Sequence, residues 1–140
     1  MNLKDKKLCI IGGGNLGVAL ARGIANKQLI KPGDITITRR KIEQLELLRN
    51  EGFSVTDDNP SAVEKSEIII IAVQPKQLSG VFDQVRETVR PSHMIISTLA
   101  GTPIEFIQEH LKKEATILRV IALWLPGVIP LYCCRNCSPI

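Results

Sequence analysis

The hexapeptide Gly12-Gly13-Gly14-Asn15-Leu16-Gly17 follows directly on the apolar run Leu8-Cys9-Ile10-Ile11 and leads into Val18-Ala19-Leu20-Ala21-Arg22-Gly23-Ile24. So dense a glycine cluster cannot sustain a regular element, so the run before it ends as a strand and the small residues after it open a helix. In the spacing Gly-x-Gly-x-x-Gly, Gly12 permits the tight turn and Gly14 leaves the backbone open to close approach by another group. Gly17 removes the Cβ that would hold the helix away from the strand. A strand joined to a helix in this way is the first half of a βαβ unit, which obliges the rest of the chain to supply parallel partners.

Those partners are legible as further β-branched runs: Ile35–Thr38, Phe53–Thr56, Ile68–Val73, Met94–Ser97 and Thr116–Val120. The run Ile68-Ile69-Ile70-Ile71-Ala72-Val73 has no polar alternation, which predicts a central strand covered on both faces. Helices between the runs carry their own punctuation. Asn59 before Pro60 predicts a capped short helix to about Ser66. Thr102, Pro103 and Glu105 form a capping box that opens a helix through His110 and Leu111. Ile42, Leu45 and Leu48, closed by Gly52, predict a helix from Lys41 to about Asn50. Strict alternation with right-handed crossovers gives an α/β fold, a Rossmann-like doubly wound parallel sheet in three layers, helix on sheet on helix.

Ligands of such sheets lie beyond the carboxyl ends of the strands, and the helix after the glycines presents free amides and a positive dipole there. A dinucleotide pyrophosphate fits that description. At the end of the second run stand Thr38, Arg39 and Arg40, where an enzyme for NAD(H) would place Asp or Glu on the ribose hydroxyls. Guanidinium groups instead suit a 2′-phosphate, so NADP(H) is favoured over NAD(H), the other reading being a solvated pair at a helix entry. Asp34 precedes its strand, at the wrong end of the sheet, and reads as a turn residue.

Eighteen Lys and Arg against fourteen Asp and Glu leave +4, without a basic arm and with only five aromatic residues, which argues against a nucleic-acid partner. The first apolar run is too short for a signal peptide, and Val120–Cys134 is uncharged but shorter than the ~20 residues that span a bilayer. A cytoplasmic protein without a membrane partner is the expectation. Cys133, Cys134 and Cys137 fall short of four zinc ligands, with His93 and His110 on earlier elements, so no metal is expected. His110 suits the negative end of its helix.

Taken together, Ile10-Ile11-Gly12-Gly13-Gly14-Asn15-Leu16-Gly17, Thr38-Arg39-Arg40, Asn59, Ala72-Val73-Gln74-Pro75, Ser97-Thr98-Leu99-Ala100-Gly101 and Leu118-Arg119-Val120 resemble pyrroline-5-carboxylate reductase over residues 7–120. The resemblance implies reduction of 1-pyrroline-5-carboxylate to L-proline, the last step of proline biosynthesis, by hydride transfer from NADPH or NADH to a C=N bond. It implies that Gly12, Gly14, Asn15, Leu16 and Gly17 hold the pyrophosphate, that Thr38, Arg39 and Arg40 hold the adenosine phosphate, and that Asn59 lies on the adenosine side. Ala72, Val73, Gln74 and Pro75 would border the nicotinamide, with Ser97, Ala100 and Gly101 closing the floor. Many members carry Lys where this chain has Gln74. No catalytic acid is assigned.

Beyond Val120 the family pattern Met-Pro-Asn-Thr is replaced by Ile121-Ala122-Leu123-Trp124. Residues 121–140 hold the sole Trp and Tyr, three of the four Cys and one charged side chain, Arg135. The expected organisation is therefore a dinucleotide-binding domain over 1–120 and an atypical apolar, Cys-rich tail over 121–140. The family's all-helical second domain, which builds its homo-oligomer and much of its substrate pocket, is then absent, as in a truncated reductase. Two other classes stay open: another NADP-dependent reductase or dehydrogenase, acting on a hydroxyacid or a deazaflavin, and a non-catalytic NADP-binding module.

Overall fold

In the computed structural model, which describes residues 2–111, 114–122 and 131–135, the β-branched runs form one sheet. Its strands are β1 (Leu8–Ile11), β2 (Ile35–Thr38), β3 (Ser54–Thr56), β4 (Ile68–Ile71), β5 (Met94–Ser97), β6 (Thr116–Ala122) and β7 (Leu131–Arg135). The order is β3-β2-β1-β4-β5-β6-β7. Every pairing from β3 through β6 is parallel, so the doubly wound reading holds, and β4 is central as its unbroken apolar run requires. The chain runs outward from β1 to β3, then crosses back and runs outward again from β4 to β6. The reversal falls between β1 and β4, and the loops leaving those two strands part there to open a crevice.

Helices α1 (Asn15–Asn26) and α2 (Glu46–Asn50) cover one face, and α3 (Asn59–Glu64), α4 (Leu78–Val85) and α5 (Ile104–Leu111) the other. Alternate strand residues divide between two cores. Leu8, Ile10, Ile37, Ile68 and Ile70 pack with Ala21, Leu45 and Leu48. Cys9, Ile11, Ile69, Ile71, Ile95 and Ile117 pack with Val63, Phe82, Val85 and Ile107. Burial pushes the Cys9 thiol up to about 12, so it behaves as a small apolar core residue.

Several boundaries differ from the sequence reading for local reasons. The cap of α3 is Asp58, whose carboxylate accepts from the Ser61 amide at 3.0 Å, with Asn59 and Pro60 following inside the first turn. The Lys41–Asn50 helix is split: Ile42–Leu45 is a 3-10 turn and only Glu46–Asn50 is α-helical. The three-residue spacing of Ile42, Leu45 and Leu48 is itself the 3-10 repeat. Gly52 takes φ +95° as the stop signal requires, and α5 begins at Ile104. Strand β4 ends at Ile71, two residues short of the apolar run; the Ala72 amide makes the last bond across to β1, donating to the Ile11 carbonyl at 2.8 Å at the edge of the crevice. Asp34 ends a 3-10 turn that leads into β2.

The tail adds what composition did not signal. Strand β6 continues to Ala122, and Leu131–Arg135 pairs antiparallel with it as an edge strand, with Cys134 opposite Arg119. Trp124, Pro126, Pro130 and Cys137 lie outside the described residues. Among the described residues no helix is long and apolar enough to cross a membrane, and no cluster of metal-ligating side chains is found.

Two expectations follow from the packing. A Cβ on Gly17 would overlap the Gly12 carbonyl oxygen, which is backbone and cannot swing aside. Gly17→Ala therefore lowers stability by about 1–3 kcal/mol in urea unfolding. The buried His93 accepts from the Arg90 amide at Nδ1, and desolvation, then the Arg90 charge, hold its pKa below the ordinary 6.5. The unfolded chain takes up a proton that the native ring refuses, so this contribution is present above about pH 6.5 and is lost as pH falls toward the native value. His93→Asn flattens the fall in thermal stability between about pH 7 and pH 5 relative to wild type.

Candidate functional site

The crevice at the β1/β4 reversal is a cleft of about 480 Å³. Its floor begins with the glycine turn. Gly12, at φ +109°, sits so close to the next loop that a Cβ would stand 2.6 Å from the Ala72 carbonyl oxygen. The amides of Gly12 and Gly13 both donate to the Thr38 carbonyl, at 3.2 and 2.8 Å. Those two donors are thus spent on β2. The first helical bond of α1 runs from the Val18 amide to the Gly14 carbonyl at 3.0 Å, so the amides of Asn15, Leu16 and Gly17 are the unpaired ones of its first turn. Gly14 has ordinary extended geometry, φ −79° and ψ −167°, and a Cβ there would meet nothing within 4 Å. The fold does not need a glycine at 14. A side chain there would occupy space at the cleft wall, so its lack of one fits close approach by a pyrophosphate.

The second wall is cationic. Arg39, Arg40, Lys41 and Lys76 line the cleft against a single carboxylate, Asp57. The ion pairs among the described residues lie elsewhere: Arg22–Glu51 at 2.6 Å, Arg49–Glu46 at 3.2 Å and Arg86–Asp83 at 2.6 Å. Among the described residues Arg39 is the one cleft cation whose side chain has a protein partner, its Nη1 donating to the Gly13 carbonyl at 2.8 Å. Arg40 and Lys41 follow it along the edge where β2 ends. Asn59, at the start of α3, donates to Gln84 of α4 at 2.8 Å and closes the far side.

Of the site residues expected from sequence, Gly12, Gly14, Thr38, Arg39, Arg40, Asn59, Ala72, Val73 and Gln74 come together on this cleft. Asn15, Leu16 and Gly17 form the first turn of α1, which continues from Gly14 at the cleft wall, and are not themselves lining residues. Pro75 opens the 3-10 turn that precedes α4. Ser97, Ala100 and Gly101 stand at and after the end of β5 and are not part of the lining, and Ser97 is fully buried. Among the lining residues that the sequence did not point to are Lys41, Lys76, Gly13, Asp57, Gln77, Gly80 and Gln84. The last three belong to α4 and the turn before it, which has no start signal as strong as Thr102-Pro103. Its start is marked by Gln74-Pro75-Lys76-Gln77, a capping box with Pro at the first position, and its body by the spacing of Leu78, Val81, Phe82 and Val85.

The chain is 37% identical to pyrroline-5-carboxylate reductase 1 of Dictyostelium discoideum over 121 residues, 86% of this chain and 22% of that protein. It is 36% identical to pyrroline-5-carboxylate reductase 2 of the same organism over 130 residues, 92% of this chain and 43% of that protein. The chain thus spans less than half the length of these relatives. The structure of Plasmodium falciparum pyrroline carboxylate reductase with NADP bound superposes with a TM-score of 0.81 at 25% identity, covering 97% of this chain and 50% of the other. Residues 7–101, more than half of the chain, match the family described as NADP oxidoreductase, coenzyme F420-dependent, and the chain belongs to that family.

Proposed function

We propose that this chain provides the NADPH-binding domain of a pyrroline-5-carboxylate reductase, the enzyme class that reduces 1-pyrroline-5-carboxylate to L-proline. The observation that carries the nucleotide half of the reading is Gly14, a glycine that the backbone does not require, at the mouth of a helix and against an open cleft. The substrate half is supported by the identity to pyrroline-5-carboxylate reductases over most of this chain.

Each part of the cleft then has a task. The free amides at the start of α1 receive the pyrophosphate, with the helix dipole favouring its charge. Arg40 and Lys41 receive a 2′-phosphate, which no carboxylate at the end of β2 opposes. Asn59, fixed by Gln84, bounds the adenosine side. Ala72, Val73 and Gln74 continue the cleft past the end of β4 toward the nicotinamide end. NADPH, when bound, supplies the hydride, and the protein orients it and screens its charge. No described residue of the cleft is assigned as a general acid. Ser97, Ala100 and Gly101 belong to this reading as the region beyond the nicotinamide.

A second reading is favoured by the family match itself, whose residues 7–101 cover the nucleotide-binding elements alone. An NADP-dependent oxidoreductase with another partner, a deazaflavin among them, would share them. The two separate on which compound oxidises NADPH: 1-pyrroline-5-carboxylate in the first case, a deazaflavin in the second.

Titration of the 140-residue chain with NADPH and NADH, followed by nucleotide fluorescence, tests the site. NADPH binds more tightly than NADH, and Arg40→Asp reduces that preference by about tenfold or more through loss of a charge-assisted pair. Gly14→Ala keeps the wild-type unfolding midpoint yet binds neither nucleotide measurably. Equal affinity of wild type and Gly14→Ala would contradict the assignment of the loop.

A further inference from the structure

Arg39 has a geometry that phosphate recognition does not require. Its backbone amide donates to the Thr56 carbonyl at 3.1 Å, tying it to β3. Its side chain turns back, half-buried, and Nη1 donates to the Gly13 carbonyl at 2.8 Å. The Gly13 amide meanwhile donates to the Thr38 carbonyl at 2.8 Å. The two ends of one loop residue are therefore gripped by two consecutive residues of the β2 terminus. Gly13 is also enclosed from the side, since a Cβ there would stand 2.7 Å from Leu45 Cδ2.

We infer that Arg39 is a positioning residue, a latch that sets the glycine turn so that the amides after Gly13 face the cleft. The inference rests on the nucleotide-binding reading above. Two physical effects support it. The Gly13 N–H and C=O belong to the two peptide groups on either side of its Cα, so holding both fixes the φ and ψ of Gly13; the donors that follow are in place before an anion arrives, and binding is spared the cost of ordering them. A loop carbonyl turned toward a pyrophosphate would repel it. A guanidinium hydrogen-bonded to that oxygen covers its negative end and leaves a net positive charge at the rim. The role differs from that of Arg40, whose guanidinium has no partner among the described residues and which lines the same cleft. A latch acts on the loop, so it serves every dinucleotide; a phosphate ligand serves NADPH alone.

The test uses NADH, which has no 2′-phosphate, on the full 140-residue chain. Arg39→Gln lowers NADH and NADPH affinity by a common factor of about tenfold, the loss of one charge-assisted hydrogen bond. Lys27→Gln removes the same charge beyond the far end of α1 and changes both affinities by less than about twofold, because distant exposed charges are screened. Arg39→Lys, which keeps a cationic donor, recovers part of the loss. In the wild-type chain without nucleotide, the Arg39 guanidinium shows restricted rotation by nitrogen-15 NMR. Loss of NADPH affinity alone with NADH binding intact, or a freely rotating guanidinium, overturns the latch. So does loss of the cooperative unfolding transition in both Arg39 variants, which would make the bond a support of the fold. A wild-type chain that binds neither nucleotide fails the nucleotide-binding reading before any variant is compared.

Discussion

Helix α1 can lie against the end of β1 only because Gly17 has no side chain and the Gly12 carbonyl occupies the space one would fill. That backbone contact fixes where the start of α1 points, and the rest of the site is built around it. Gly12 in turn lies against Ala72, and the Ala72 amide is bonded to Ile11, so the loops leaving β1 and β4 are set relative to each other by main-chain contacts. Thr38 holds the same turn from the β2 side. The ends of three neighbouring strands are thereby joined through backbone atoms. The side chains around them are then free to serve a ligand, because the fold does not depend on their contacts.

The electrostatics follow the same division. Acidic partners are given to Arg22, Arg49 and Arg86, on helices and away from the strand ends, in exposed pairs that each add little to stability. The cations at the cleft are without such partners, and their mutual repulsion is tolerable only because they are solvated. An arriving phosphate relieves that repulsion and gains the charge-assisted bonds together. Where β2 ends the cleft carries Arg39, Arg40 and Lys41 against the one carboxylate of Asp57 at the neighbouring end of β3, a net positive balance that suits a phosphorylated ribose.

The strands were readable because β-branched runs bounded by turn residues have few alternatives, and their parallel order followed from the helices between them. The glycine turn was readable in detail, since the reasons for Gly12 and Gly17 are steric and local. Helix starts were less so. Asp58 and Asn59 are both competent caps, and only the folded geometry shows that the Asp58 carboxylate reaches Ser61. The start signal of α4 is a Gln74–Gln77 capping box around Pro75, formed by amide side chains that are weaker cap residues than Ser, Thr or Asp, so Gln77, Gly80 and Gln84 on the cleft were easily overlooked. Strand β7 was hidden because it lies wholly beyond the composition break at Val120, although three of its partners, Leu118, Arg119 and Val120, belong to the part of β6 that was legible as a strand. The bond from Arg39 to Gly13 joins residues 26 apart and leaves no trace in local pattern.

In the proposed function the turn after β1 and the end of β2 together receive a phosphorylated dinucleotide. Adding NADPH to the nitrogen-15-labelled chain and following the amide resonances tests both whether it binds and where. The account predicts that the largest shifts fall on Gly14 to Gly17, Thr38 to Lys41 and Ala72 to Gln74, with β3 and the outer face of α5 unaffected. An unchanged spectrum, or shifts centred away from the β1/β4 crevice, would contradict it.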